Sequence, residues 1–76
     1  MLRTTDDAFK RMIEEEEQLS EKLTRLELFI NKCRKNEVND ITLDEIKLME
    51  EQAHAMSTYR FILRIRIARV RGGHNA

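Results

Sequence analysis

Seventy-six residues with zero formal net charge, 37% of them charged, no proline and two glycines describe a chain of charged helices sized for one domain. So short a chain draws roughly 3–5 kcal/mol at most from a single core, so a partner, or further copies of itself, is expected to complete it. A lone cysteine, Cys33, excludes a disulfide scaffold, the opening MLRTTDDAFKRM has no apolar run to act as a signal peptide, and no stretch approaches the roughly 18 apolar residues of a membrane span. A soluble protein of the reducing cytoplasm is expected.

The first predicted element is a helix over about residues 6–35. Asp6 and Asp7 suit its N-cap and first turn, where carboxylates accept from free backbone N–H groups, and Lys32, Arg34 and Lys35 suit its carbonyl-rich end. Phe9, Met12, Leu19, Leu23, Leu26, Ile30 and Cys33 fall on a coiled-coil seam of alternating three- and four-residue steps, interrupted only by Glu16. Buried on that seam, Cys33 reads as a small apolar side chain.

Periodicity lapses over about residues 36–41, where Asn36, Asn39 and Asp40 supply turn chemistry. The second helix, about residues 42–71, opens on Thr42-Leu43-Asp44-Glu45, a capping box in which Thr42 and Glu45 bond each other's backbone N–H. Its seam is Ile46, Met49, Ala53, Met56, Leu63, Ile67 and Val70, interrupted by Arg60. Gly72 is the expected left-handed stop, with 72–76 as a tail. Leu63 to Ile67 alternates apolar and charged residues as a half-buried strand does, yet a lone strand has nothing to pair with and the heptad continues through it.

The fold class is therefore all-α: one antiparallel, coiled-coil-like two-helix hairpin, residues 1–76, assembling into a homo-oligomeric helical bundle. Folding about Val38 sets Ile30 near Ile46, Leu23 near Ala53, Leu19 near Met56 and Met12 near Leu63. Glu16 then meets Arg60, either as a partly buried ion pair that sets the register or as two side chains that snorkel out separately.

Ile13, Leu28, Phe29, Leu48, Phe61, Ile62 and Ile65 lie off the seam, more apolar residues than one stripe per helix holds. Phe61, Ile62 and Ile65 face outward beside Tyr59 and, with Ile13 and Phe29, are the expected interface of a symmetric dimer or a higher multiple of it.

No catalytic constellation is present. His54 and His74 have no metal-ligand spacing, Glu14 to Glu17 point in four directions round a helix, Ser20, Ser57 and Thr58 have no base beside them, and no Gly-rich loop cradles phosphate. The chain reads as a non-enzyme without cofactor or metal. From Ser57 onward, however, it carries five arginines and no acid. Tyr59, Arg60, Arg64, Arg66, Arg69 and Arg71 form a candidate anion site, because guanidinium forks match phosphates and a tyrosine ring stacks on a base. The bland reading stays open beside it: these arginines pair with the acidic face of a neighbouring hairpin. Arg71-Gly72-Gly73 is too short for an RNA-binding repeat.

The run Arg11-Met12-Ile13-Glu14-Glu15 through Leu19, Lys22-Leu23, Leu26 and Phe29-Ile30, followed by Met56-x-x-Tyr59-x-x-Ile62-Leu63-x-x-Arg66-Ile67, resembles the small hairpin proteins of crAss-like and other tailed phages. The resemblance spans roughly Phe9 to Val70 and implies a phage or prophage origin. In size and shape the hairpin is also similar to phage anti-defence sponges, helical hairpins that form hexamers and sequester cyclic nucleotide or ADP-ribose-type signals. Their ligand-contact motif is absent here, so that likeness carries architecture and not ligand.

Two functions follow as expectations. One is a counter-defence accessory protein whose oligomer sequesters a small anionic nucleotide signal. The other is a protein-binding module or inhibitor that holds a host or phage protein on Phe61, Ile62 and Ile65. Nucleic acid is disfavoured by the acidic first helix and the zero net charge.

Overall fold

The structure, a computed structural model, describes the backbone of residues 2–72 and the side chains of residues 6–72. Two helices, α1 (Leu2–Arg34) and α2 (Leu43–Gly72), fold back on each other as a hairpin, and no strand occurs among the described residues. Leu63 to Ile67 is helical throughout. At about 1.5 Å per residue the 33 residues of α1 span about 50 Å, which accounts for the longest dimension of the molecule, 52 Å.

α1 begins earlier than expected. Its first turn contains no acid, so Asp6 and Asp7 lie inside the helix and do not cap it. No proline or glycine in Leu2–Thr5 halts the helix, and each added residue contributes a hydrogen bond once the helix is nucleated. Its other end is a Schellman motif: Asn36 N–H donates to the Cys33 carbonyl (3.1 Å), Glu37 N–H donates to the Lys32 carbonyl (2.9 Å), and Asn36 takes a left-handed φ of 61°. Asp40 reverses the chain again with a φ of 62°. Asn and Asp tolerate this region better than other side-chain-bearing residues.

The capping box forms. Glu45 N–H donates to the Thr42 hydroxyl (3.1 Å), and Thr42 N–H donates to the Glu45 carboxylate (3.4 Å). Gly72, expected to stop the helix, is instead the last residue of α2 and has no positive φ. Residues 73–76, which hold the rest of the expected tail and His74, lie outside the described residues.

The core is the seam. Leu23, Ile30, Cys33, Ile46, Ala53, Leu63 and Ile67 are buried, with Leu23 and Leu63 only 1% exposed. Leu23, Ile30 and Ala53 form one cluster against which Leu26, Met49 and Met56 pack. Val70 departs from the heptad expectation and is exposed, since the seam runs out past Ile67.

One hairpin leaves much of itself in water. Its accessible surface is 6273 Å², against about 4,900 Å² for a compact monomer of 9.1 kDa. No described helix is long and apolar enough to cross a membrane.

Candidate functional site

Two adjacent acids on α1 organise the basic half of α2. Consecutive helical residues point about 100° apart, so Glu15 and Glu16 reach across on the two sides of the seam. Glu16, half-buried, accepts from Arg64 Nε at 2.7 Å and from the Ser20 hydroxyl at 3.0 Å. The Arg64 bond holds its carboxyl below the usual carboxylate range, with desolvation opposing and Ser20 adding to the effect. The expected partner, Arg60, is one turn short: it makes no salt bridge with Glu16 and acts on it only through its charge. On the other side the Tyr59 hydroxyl donates to the Glu15 carboxylate, and that bond pushes the phenol above its ordinary pKa of 10.0.

These contacts spread the candidate ligand residues over α2. Arg64 and Arg71 line an open groove between the helices together with Ile13, Glu16, Glu17 and Ile67. Two acids on that groove, one already holding Arg64, oppose a bound anion. Arg66 lies about 200° round the helix from Arg64, on the Tyr59 side, near enough for its charge to act on the phenol. Arg69 points outward, and Arg60 is half-buried beside the seam. Within the hairpin, among the described residues, no salt bridge holds Arg60, Arg66, Arg69 or Arg71. One hairpin therefore offers several guanidinium groups on different faces and no single enclosed pocket.

The candidate interface residues divide similarly. Phe61, Ile62 and Ile65 are 63%, 46% and 39% exposed on the side of α2 away from α1. Ile13 is half-buried in the groove, and Phe29 is exposed on α1. Sequence reasoning missed two cross-helix contacts, Glu15–Tyr59 and the paired bond of Arg34 to Glu50 near the turn (2.9 and 2.6 Å). Their signal was present, because charged positions flanking a seam are where hairpin partners meet.

A sequence model of one protein family, described as Sequestin, matches residues 6–69. The chain belongs to the Sequestin family. The match covers most of both helices, and Glu15, Glu16 and the stretch from Tyr59 to Arg69 fall within the matched range. No curated protein and no solved structure matches this member of the family.

Proposed function

We propose that this Sequestin-family chain is a non-enzymatic phage accessory protein that acts in counter-defence in the host cytoplasm, its oligomer binding and sequestering a small anionic nucleotide signal. The observation that carries this reading is the basic half of α2: five arginines and one tyrosine with no acid from residue 57 on, four of the arginines outside any salt bridge among the described residues of the hairpin. Unpaired guanidinium groups beside an aromatic ring are suited to phosphate and base. The family name, which denotes sequestration, supports a protein that binds and holds. Because one hairpin spreads these groups over several faces, gathering them requires more than one copy.

The test is native mass spectrometry of the protein alone and with cyclic di- and trinucleotides and ADP-ribose derivatives. A discrete oligomer gaining ligand at fixed stoichiometry is expected, and Arg66→Glu abolishes that gain while preserving the oligomer. An oligomer that ignores the whole panel overturns the reading.

A second reading rests on the exposure of Phe61, Ile62 and Ile65, an apolar strip that suits a helix-binding protein partner. A host or phage protein that co-purifies with the wild type and is lost from Ile62→Asp favours it.

A further inference from the structure

α2 is apolar on two opposite faces. Ile46, Ala53, Leu63 and Ile67 are buried against α1, while Ile62 and Ile65, with Phe61 at their edge, stand exposed about 180° away. A helix apolar on both sides belongs in an interior, and a lone hairpin supplies a neighbour for one side only.

The outer face carries its own seam. Glu51, Ala55, Thr58, Ile62, Ile65 and Arg69 follow steps of four and three residues, and all six are exposed. This stripe is its own complement when run backwards. Counted from position 60, Thr58 and Ile62 lie two residues away on either side, Ala55 and Ile65 five, and Glu51 and Arg69 nine. An acid answers a base at the ends, and a small side chain answers a large one inside. A parallel pairing would instead set acid on acid and arginine on arginine.

We infer that the outer face of α2 is the two-fold interface of a homodimer, in which α2 packs antiparallel on the α2 of a second copy about position 60. Ile62 then meets the partner's Thr58, Ile65 the partner's Ala55, and Arg69 the partner's Glu51. Among the described residues neither Glu51 nor Arg69 has a salt bridge within its own hairpin, which leaves both for this role. In an antiparallel pair each flank meets its own kind. Phe61 meets the partner's Phe61 along one edge, and the other edge assembles Tyr59 and Arg66 of both copies. That second edge, as an anion site incomplete in one hairpin, rests on the sequestering reading above, whereas the pairing of the helices does not.

Sedimentation velocity without nucleotide tests the pairing on the wild type, Glu51→Arg, Arg69→Glu, their equimolar mixture and the double variant, with circular dichroism to show that both exposed substitutions leave the hairpin folded. The wild type is expected to be dimeric, each single variant to weaken its dimer at least tenfold, and both the mixture and the double variant to pair again. Rescue on mixing follows because each heterodimer restores an acid opposite a base at both ends. A monomeric wild type, or single variants that pair as tightly as the wild type, overturns the inference. The readout contains no nucleotide, so a silent nucleotide panel bears on the sequestering reading alone.

Discussion

Arg64 spans the hairpin to Glu16, its Nε 2.7 Å from the carboxylate, and Arg60 one turn earlier makes no salt bridge to that carboxylate. The Glu16 side chain is 16% exposed against 56% for Arg64, so the acid is the buried member of the pair and stands to lose more when it breaks.

Replacing Arg64 with leucine therefore lowers stability by about 1 kcal/mol, the scale for leaving a half-buried carboxylate without its guanidinium. Arg60→Leu changes it by less than about 0.5 kcal/mol, because Arg60 acts on Glu16 through charge alone. For a domain of this size 1 kcal/mol moves the melting midpoint by roughly 4–8 °C, readable by thermal circular dichroism. Equal losses in the two variants contradict the register.

Acid should find the same contact. The Glu16 carboxyl is lowered from 4.5 in the folded state, mainly by its bond from Arg64. Its unfolded form takes up a proton first, so its contribution is complete above about pH 4.5 and is lost as pH falls through the lower folded value. Urea unfolding between pH 3 and 7 should show stability falling on the acid side, and Glu16→Gln should flatten that fall.

Tyr59 titrates in the opposite sense. Its hydroxyl donates to Glu15, a bond the phenolate cannot make, so its pKa lies above 10.0 in the folded protein. The contribution is complete below the unfolded value and is lost as pH rises through the folded one. With one tyrosine and no tryptophan in the chain, ultraviolet absorbance reports this group alone. The native midpoint should exceed that of the unfolded chain, and Glu15→Ala should bring the two closer together.

The two helix ends at the turn give a third kind of variant. Thr42→Ala removes the hydroxyl that accepts from Glu45 N–H and costs about 1 kcal/mol, while Thr42→Ser retains most of it. Asn36→Ala forces a Cβ residue of lower tolerance into a φ of 61° and costs about 1 kcal/mol, while Asn36→Gly is neutral or stabilising. Denaturant midpoints of the four variants check both caps, and a stabilising Asn36→Ala contradicts the left-handed turn.

The turn was legible because its signals are local. Thr42 and Glu45 are three residues apart, and Asn36 and Asp40 bond or bend within one turn of chain, so residue type and spacing suffice. The seam was legible because Leu23, Ile30, Ala53 and Leu63 recur at the helical period, and burial follows the period. The beginning of α1 was misread because Asp6 and Asp7 are good caps but nothing before them stops a helix that α2 already stabilises.

By itself, the sequence determined two helices, one reversal, the buried stripe and a basic end, since each follows from periodicity or composition. Only the tertiary structure decided that Glu16 takes Arg64, that Glu15 takes Tyr59, and that Arg34 takes Glu50. It also decided that the arginines of α2 divide between an acid-lined groove and an outward face. The reason is rotational: a heptad states which stripe is buried, but flanking partners depend on how far the two helices turn about their axes, and a shift of one turn exchanges Arg60 for Arg64.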